Sequence, residues 1–428
     1  MPRTLHAWLA VSAYLLLAAF PALWVGATST GPAAWRTSAL LAWLGLGLIA
    51  LEFVLITRIH MATGPFGQDA LLRQHRRAGV AGCVLLLLHP LLLLAELPPA
   101  SLMPPQASIA INAGSAAWLL LLALVISTRW RKRLGLAYEP WLWLHRWLAI
   151  ATLALGVFHA DRLASGPMPA ALLIWSALAA LALLWYRGLR PAWQHRPWRV
   201  IENSPEPGRA RRLVLRAPPA GGISYQAGQF CWLRLGSAWS WEAHPISLSS
   251  APPAGRAQEI EFTIKDLGDW SGRIVPQLAA GTPVWIDGPY GVFTPERHPG
   301  AGYVLIGGGV GITPLVSMAA ALAPRGVPVL LIHAARDAAS LCLGKRIAAL
   351  SAAHRNLRWV RVLESGAEAP DEAGWVNLEL LTRQLPPEAW QWQFFVCGPE
   401  PMMDAVEAAL TRLGMARSQV HTERFEMA

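Results

Sequence analysis

The chain has 428 residues, of which 54% are hydrophobic and only 14% are charged. Soluble domains usually carry about 25% charged residues, so this composition argues against an ordinary soluble protein. The net charge is +10. Because many of the Arg and Lys residues lie beside apolar runs, the excess indicates orientation in a membrane and not binding to nucleic acid. Long apolar runs dominate the part before residue 190, after which the chain resembles an ordinary α/β protein.

Six apolar stretches precede residue 190, and about 20 apolar residues are enough to cross a bilayer. We expect spans near residues 7–26, 36–57, 76–97, 112–129, 141–160 and 170–187. The first stretch is similar to a signal peptide, but the five that follow favour an uncleaved span. The connections after spans two and four and the stretch after span six are rich in Arg. The positive-inside rule then predicts a multi-pass protein of a bacterial inner membrane with both termini in the cytoplasm.

Two of these spans carry histidines at the same spacing, His75 and His89 in span three and His145 and His159 in span five. Fourteen residues rise about 21 Å and complete nearly four helical turns, so each helix presents two imidazoles on one face. Spans three and five run in the same direction, so His75 pairs with His145 near the cytoplasm and His89 with His159 near the outside. Facing imidazoles in a helical bundle suit six-coordinate haem iron, which predicts two b-type haems.

Other interpretations of these polar residues remain open. The histidines are alternatively hydrogen-bonded residues of the bundle, although polar groups within spans tend to be functional. One zinc ion cannot use both pairs, because they lie about 21 Å apart. Glu52 in span two is expected either to snorkel or to pair with Arg58. Four arginines adjoin the inner pair, where they either neutralise haem propionates or follow the positive-inside rule: Arg73, Arg76, Arg77 and Arg146.

The four cysteines show neither a CxxC motif nor a Cys/His zinc spacing, so we expect no disulfide framework and no zinc site. From Trp198 onward the chain shows six short strands separated by Gly and Pro: "WRVIE", "RRLVLRA", "GQFCWLRL", "HPISLSS", "EIEFTIKDL" and "TPVWIDGP". With one short helical piece, "SGRIVPQL", they predict a small antiparallel barrel.

"HPISLSS" (residues 244–250) resembles the flavin-binding signature of the ferredoxin–NADP reductase superfamily, in the variant of NADPH oxidases and ferric reductases. "YQAGQF" before it, and "FTIK" and "GPYG" after it, stand in the family's order. The resemblance implies FAD bound by His244, Pro245, Ile246 and Ser247, with the Ser247 hydroxyl reaching the reactive nitrogen. "FTIKDLGDWSGRI" resembles the family's diphosphate segment, where a lysine and helix N-terminal amides suit the ligand. The implied residues there are Ile264, Lys265, Ser271 and Gly272.

"YVLIGGGVGITPLVSM" (residues 303–318) reads as a strand, a Gly-rich turn and a helix start, in which glycines let the backbone approach a diphosphate closely. It resembles the superfamily's pyridine-nucleotide loop, and the later "CGP" turn resembles the one beside the nicotinamide. Arg336, at the end of the next strand, favours NADPH, while Asp337 leaves NADH possible. Phe425 either stacks on the flavin, as in the superfamily, or packs the tail. The residues expected at NADPH are Gly307, Gly308, Gly309, Gly311, Thr313, Pro314, Arg336, Cys397, Gly398 and Pro399.

The predicted fold is a six-helix transmembrane bundle (1–190), an antiparallel FAD-binding β-barrel (191–298) and a Rossmann-like α/β nucleotide-binding domain (299–428). The resemblance implies that electrons pass from cytoplasmic NADPH through FAD and two haems to an extracytoplasmic acceptor. That acceptor is dioxygen, giving superoxide, or a ferric chelate. The outer loops are short and lack a basic patch for a chelate, which favours dioxygen. A third hypothesis, a membrane anchor or haem sensor, needs no hydride donor, so the flavin and nucleotide motifs argue against it.

Overall fold

A computed structural model describes residues 3–28, 31–57, 60–94, 108–163, 168–190, 196–219, 221–240 and 242–424. The chain forms two compact units that divide after Arg190. The first unit is helical, and the second contains two β-sheets.

The helical unit contains α1 (Arg3–Thr28), α2 (Ala33–Leu55), α3 (His60–Leu88), α4 (Ile109–Arg129), α5 (Tyr138–Leu163) and α6 (Met168–Leu184). Within the described residues, four stretches are long and apolar enough to cross a membrane: Ala33–Leu55, Ala70–Leu93, Ile109–Arg129 and Tyr138–Leu163. Two shorter apolar helical stretches cover Val11–Ala27 and Ala170–Leu184. The structure therefore supports a membrane protein with four predicted spans, and the complete six-helix bundle stays a prediction.

Helix α3 differs from its predicted span at both ends. It begins at residue 60 instead of 76, so most of the basic connection after span two is helical. It ends at Leu88 and is followed by a 3₁₀ turn, Leu91–Leu93. Pro90 explains this end, because proline lacks the amide hydrogen that a continuing helix requires. His89 still donates its amide to the carbonyl of Leu85 at 3.0 Å, so it completes the last helical turn.

Small residues let the membrane helices approach closely. A Cβ atom on Gly45 of α2 would lie 2.8 Å from Leu86 Cγ and 3.1 Å from the carbonyl oxygen of Gly82 on α3. Gly47 packs against the buried Trp175 of α6, whose indole nitrogen donates to the carbonyl of Leu17 at 3.0 Å. Close backbone packing of this kind is typical of helices in lipid, where no hydrophobic force drives helix association.

The first sheet of the second unit is antiparallel and contains all six predicted strands: β1 (Trp198–Glu206), β2 (Ala210–Arg216), β3 (Phe230–Leu235), β4 (His244–Ser247), β5 (Glu259–Lys265) and β6 (Pro283–Tyr290). Their order is β4-β3-β6-β1-β2-β5. The predicted helical piece forms two short turns, Trp270–Ile274 and Val275–Gln277. One isolated bridge, Leu248 to Phe262, links the ends of the sheet. Closure into a full barrel stays a prediction.

The second sheet is parallel, with the order β10-β9-β8-β7-β11-β12. Its strands are β7 (Tyr303–Gly308), β8 (Val329–Ala335), β9 (Leu357–Leu363), β10 (Glu372–Ala373), β11 (Gln393–Cys397) and β12 (Val420–Thr422). The helices are α7 (Ile312–Leu322), α8 (Gly344–Ala353), α9 (Leu378–Gln384) and α10 (Glu400–Arg412). Strand order reverses at β7, between β8 and β11. In open α/β sheets ligands bind at the carboxyl ends of the strands beside such a reversal.

Candidate cofactor sites

The two outer histidines are fixed by backbone carbonyls. His89 Nδ1 lies 2.6 Å from the carbonyl oxygen of Leu86, and His159 Nδ1 lies 2.8 Å from that of Ala110. A carbonyl oxygen only accepts hydrogen bonds, so both Nδ1 atoms donate. The lone pair then stays on Nε2, which is the usual arrangement of a metal-binding histidine.

The two inner histidines contact side-chain oxygens instead. His75 Nδ1 lies 2.5 Å from Glu52 Oε2, and His145 Nδ1 lies 3.3 Å from Thr128 Oγ1. The ring centroids of His75 and His145 are 6.3 Å apart. Two metal–nitrogen bonds of about 2 Å, plus about 1.1 Å from each nitrogen to its ring centroid, separate two axial imidazoles by about 6 Å. The inner pair therefore fits two axial ligands of one haem iron.

Gly114 of α4 is a site residue that the sequence analysis missed. A Cβ atom at this position would lie 2.5 Å from Nδ1 and 2.7 Å from Cε1 of His159. The imidazole thus lies directly on the α4 backbone, one turn beyond the Ala110 carbonyl that it contacts. Glycine is necessary here because α4 and α5 lie so close together that a side chain would overlap the ring of His159. The sequence alone does not reveal this distance.

The expectation that Glu52 snorkels is wrong. Its side chain is buried and accepts a hydrogen bond from the Tyr14 hydroxyl at 3.0 Å, in addition to its contact with His75. Arg58, its other expected partner, lies outside the described residues. Taking a carboxyl group out of water is costly unless it is hydrogen-bonded, so Tyr14 and His75 explain how Glu52 is tolerated there.

Among the residues that the structure describes, no three His, Cys, Asp or Glu side chains gather around one point where they would hold a metal ion. Each histidine pair offers two imidazoles, whereas structural zinc takes four ligands. Haem iron needs only two ligands from the protein, because the macrocycle supplies the others.

The predicted flavin residues lie in β4 and beside it. Ile246 and Ser247 are buried, and His244 and Pro245 are half-buried. The His244 ring stacks on Trp270, with centroids 3.9 Å apart and planes at 22°. This contact joins β4 to the turn that follows β5, so the two parts of the predicted flavin site come together.

The predicted diphosphate segment is a tight turn and not a regular helix start. Ser271 Oγ accepts from the amide of Leu267 at 2.9 Å, and a Cβ atom on Gly272 would lie 2.3 Å from Asp266 Oδ1. The Ile264 side chain belongs to the sheet's hydrophobic core, so only its backbone is available to a ligand. A Cβ atom on Gly309 would lie 3.5 Å from Lys265 Nζ, which places this ammonium group at the nucleotide loop.

The Gly-rich loop lies at the carboxyl end of β7, where the strand order reverses. Gly307 and Gly308 end the strand, and Gly309 adopts a φ of 55°, which favours glycine. A Cβ atom on Gly311 would lie 2.4 Å from the carbonyl oxygen of Cys397. This loop therefore requires glycine where it passes the end of β11.

The "CGP" turn lies beside this loop, because Cys397 pairs with Gly307 across the two strands. A Cβ atom on Gly398 would lie 3.0 Å from the amide nitrogen of Gly308. The Cys397 side chain is fully buried in the core, so its backbone is the part available to a ligand. Pro399 precedes helix α10 directly.

The first turn of α7 continues the loop. Thr313 and Pro314 are both buried, and the Thr313 hydroxyl donates to the carbonyl of Val310 at 2.9 Å. These residues fix the turn that leads from the glycines into the helix, whose N-terminal amides favour an anion.

Arg336 and Asp337 follow β8 at the same edge of the sheet. Arg336 is exposed. Asp337 Oδ1 accepts from the amide of Ser340 at 2.9 Å and from its hydroxyl at 2.7 Å, so this carboxylate stabilises its own turn. Phe425 lies outside the described residues. The adjacent Arg424 forms ion pairs with carboxylates of α10.

His333 of β8 lies opposite Gly307 in the sheet. It is completely buried, and neither ring nitrogen has a hydrogen-bond partner among the described residues. Burial lowers the pKa of His333 to about 3, because the interior disfavours the charged imidazolium. This histidine is therefore neutral at physiological pH.

Glu261 links the two sheets of the second unit. Its carboxylate accepts from Arg212 Nε of β2 at 2.8 Å, from Arg346 Nη1 of α8 at 2.5 Å and from Ser249 Oγ at 3.0 Å. The hydroxyl of Ser317 on α7 also donates to the carbonyl of Ser250 at 2.6 Å. These contacts fix the predicted flavin strands against the nucleotide-binding sheet.

Three family models match the chain in the order of its predicted parts. Residues 41–156 match the ferric reductase like transmembrane component, residues 212–294 an FAD-binding domain, and residues 305–408 the oxidoreductase NAD-binding domain. The first match includes His75, His89 and His145 and ends three residues before His159.

Two curated relatives match about half of the chain. The ferredoxin reductase component of 3-ketosteroid-9-alpha-monooxygenase from Rhodococcus rhodochrous is 34% identical over 53% of the chain and 63% of the relative. A flavohemoprotein from Bordetella pertussis is 31% identical over 54% of the chain and 60% of the relative. The chain thus spans about 60% of the length of these relatives.

A solved flavohemoglobin from Malassezia yamatoensis is 18% identical, with a TM-score of 0.51 over 91% of the chain and 96% of that protein. At this identity the likeness concerns the fold alone. Together, the matched domains define the class. The chain is a ferric reductase-like membrane oxidoreductase with a ferredoxin–NADP reductase-type module that contains FAD- and NAD(P)-binding domains.

Proposed function

We propose that this protein transfers electrons from cytoplasmic NADPH across a bacterial inner membrane to an extracytoplasmic acceptor. The observation that carries the proposal is the hydrogen bonding of the four membrane histidines. Each Nδ1 atom contacts an oxygen, which leaves Nε2 available for iron. The same chain contains domains that bind the electron donor and a flavin.

The architecture proposed for this function has three parts. Residues 1–190 form a six-helix bundle with the N-terminus in the cytoplasm, residues 191–298 a closed FAD-binding barrel, and residues 299–428 the nucleotide-binding domain. The Arg-rich connections support this orientation, because cytoplasmic loops carry an excess of Arg and Lys.

In the bundle, His75 and His145 bind the inner haem, and His89 and His159 bind the outer one. When bound, the flavin would supply two-electron chemistry with the nicotinamide, and the haem irons would supply one-electron chemistry. The protein fixes the imidazole orientations through Glu52, Thr128 and the two backbone carbonyls. Gly114 supplies the space in which the ring of His159 lies.

In the module, the strand with His244, Pro245, Ile246 and Ser247 lies against the flavin. The turn with Ser271 and Gly272, together with the Ile264 backbone, holds the diphosphate of FAD. Lys265 lies between the proposed flavin and nucleotide sites, because its ammonium group is next to Gly309. The proposal that Phe425 stacks on the flavin rests on the family resemblance alone.

The nucleotide is held by the Gly-rich loop (307–311), by Thr313 and Pro314 at the start of α7, and by the turn of Cys397, Gly398 and Pro399. We favour NADPH over NADH because Arg336 is exposed, while the Asp337 carboxylate is engaged with Ser340. An acidic residue selects NADH by contacting the ribose hydroxyl, and Asp337 is already used within its own turn.

Dioxygen, giving superoxide, is the proposed acceptor, because the outer loops of the sequence are short and contain no basic patch for an anionic chelate. A ferric chelate is the second candidate, and the description of the family that matches residues 41–156 favours it.

The test uses the purified full-length protein loaded with FAD and haem and supplied with NADPH or NADH. We expect superoxide formation, measured as cytochrome c reduction that superoxide dismutase suppresses, and faster turnover with NADPH. A ferric chelate and a ferrous-specific dye are added in a parallel assay.

Iron reduction without superoxide would make the ferric chelate the acceptor. Failure of both assays in a protein that contains its flavin and haems would contradict transmembrane electron transfer.

A further inference from the structure

The inner and outer histidine pairs differ in the charge of their hydrogen-bond partners. Both outer Nδ1 atoms contact neutral backbone carbonyls. At the inner pair, His145 faces a threonine hydroxyl, whereas His75 faces the carboxyl group of Glu52. Of the four Nδ1 contacts that the structure describes, only that of His75 is with a carboxyl group. This difference suggests that the protein adjusts one haem and not the other.

Three helices contribute to the arrangement. Tyr14 of α1 donates its hydroxyl to Oε1 of Glu52 on α2, and the other oxygen, Oε2, contacts His75 Nδ1 on α3 at 2.5 Å. The side chain of Glu52 is 6% exposed and that of His75 is 31% exposed. Glu52 is thus held from both sides, and its position relative to the His75 ring is fixed by packing and not by solvent.

A carboxylate in this place has a definite electrostatic consequence. A hydrogen bond to an anionic acceptor makes the imidazole a more basic ligand. The ferric form of a site carries one more positive charge than the ferrous form, so a nearby negative charge stabilises it preferentially. The effect is large within a bilayer, because the low dielectric constant strengthens charge interactions. Carbonyl groups at the outer pair have no net charge and act more weakly.

Cations near His75 oppose this effect. Arg73, Arg76 and Arg77 precede or follow it in α3, and all three are exposed, whereas Arg146 adjoins His145 and is half-buried. Charges in contact with water are screened, whereas Glu52 is buried and in direct contact with the ligand. Glu52 is the acidic side chain that directly contacts His75 among the described residues, which is the contact that the proposal depends on.

We propose that Glu52 is a positioning residue that lowers the reduction potential of the inner haem through its hydrogen bond with His75. The inference rests on the proposed haem sites and deepens them. A lower inner potential makes electron transfer towards the outer haem more favourable, so Glu52 contributes to the direction of flow.

The test compares wild type, Glu52→Gln and Tyr14→Phe in purified full-length protein by redox titration of the haem absorbance. Titration of His89→Leu, which retains the inner haem alone, identifies the inner component. Glutamine keeps an acceptor oxygen but removes the charge. We expect both haems in Glu52→Gln, about a tenfold rise in the ferrous-to-ferric ratio of the inner haem at fixed potential (about 59 mV for one electron), and no change in the outer haem.

Tyr14→Phe should shift the reduction potential of the inner haem in the opposite direction. Without the phenol, the carboxylate gives more of its charge to His75, so we expect a smaller fall in the inner potential and an unchanged outer potential. If Glu52→Gln loses its inner haem, this second variant decides the question. An unchanged inner potential in variants that keep both haems would overturn the role of Glu52. Wild-type protein that binds no haem would instead overturn the proposed function.

Discussion

The two units of the molecule build their candidate sites in different ways. In the membrane unit the site consists of side chains from several helices, and each histidine has a defined oxygen partner. In the second unit the site consists mainly of backbone at the ends of strands, where glycines allow loops to pass within van der Waals contact. An apolar environment makes an unpartnered polar group costly, so hydrogen bonds there point directly to function. In the second unit, where water competes for hydrogen bonds, the shape of the backbone indicates the functional site more clearly.

The comparison predicts separable phenotypes. A change at a histidine of the membrane unit should remove a haem and leave flavin reduction by NADPH intact. A change in the second unit should alter its stability or nucleotide binding and leave the haems in place. The following substitutions test this separation in order of decreasing expected effect.

Replacing His89 by Leu should abolish reduction of the extracytoplasmic acceptor, because the outer iron loses an axial ligand. We expect the haem content to fall from about two per chain to about one, with low-spin b-type absorbance retained. Haem extraction and the reduced-minus-oxidised spectrum measure both quantities. Reduction of a soluble dye by NADPH should continue at the wild-type rate. Loss of both haems from a folded variant would contradict the proposed pairing.

Gly114→Ala should weaken the outer haem site, because the new methyl group would overlap the imidazole of His159. Changes beside a metal ligand typically cost about 10- to 100-fold in affinity, and we expect an effect of this size on haem retention during purification. Gly26→Ala in α1 is the matched control, since its Cβ atom would meet only Leu40 at 3.5 Å, an ordinary contact. Equal haem contents in the two variants would exclude the proposed role of Gly114.

Glu261→Ala should destabilise the second unit, because it leaves Arg212 and Arg346 without their shared carboxylate. Breaking a buried ion pair costs about 3–5 kcal/mol, and partial exposure of both guanidinium groups reduces our expectation to about 2–3 kcal/mol. Glu259→Ala is the control, since its pair with Arg216 is exposed and worth about 0–1 kcal/mol. Urea unfolding followed by tryptophan fluorescence measures both. Similar losses of stability would show that Glu261 does not join the sheets.

His333 should make the second unit sensitive to acid. Its pKa is lowered to about 3 by burial, while an unfolded histidine titrates near 6.5. The unfolded chain therefore binds the proton first, and the free energy of unfolding falls as the pH drops from about 6.5 towards 3. The contribution is constant above this window, and within it the slope is at most about 1.4 kcal/mol per pH unit.

His333→Leu removes this group and should reduce the dependence of the free energy of unfolding on pH between about 3 and 6.5. Above pH 7 the variant and the wild type should show the same dependence on pH. His421, whose pKa burial lowers to about 4, keeps part of the acid sensitivity. Urea midpoints at several pH values provide the measurement. Identical slopes for variant and wild type would contradict the assignment.

Patterns along the chain predicted much of the fold. Alternation and turn residues placed all six antiparallel strands, and the hydropathy of the chain placed the four long apolar helices. Helix α3 begins sixteen residues before the predicted span, because hydropathy marks an apolar span and not the polar residues that extend its helix. Lys265 was expected at the flavin diphosphate, but no pattern along the chain indicates how close β5 lies to the Gly-rich loop.

The sequence by itself determined which residues are chemically able to bind cofactors. These are four histidines at matched spacing, a Gly-rich turn after a buried strand, and a flavin-type strand. These follow from helical periodicity and from the backbone freedom of glycine, which are local properties. Only the tertiary structure decided that Glu52 contacts His75, that Gly114 admits the ring of His159 and that Glu261 joins two sheets. Each of these contacts connects residues far apart in the chain, and their distances depend on how the helices and sheets pack.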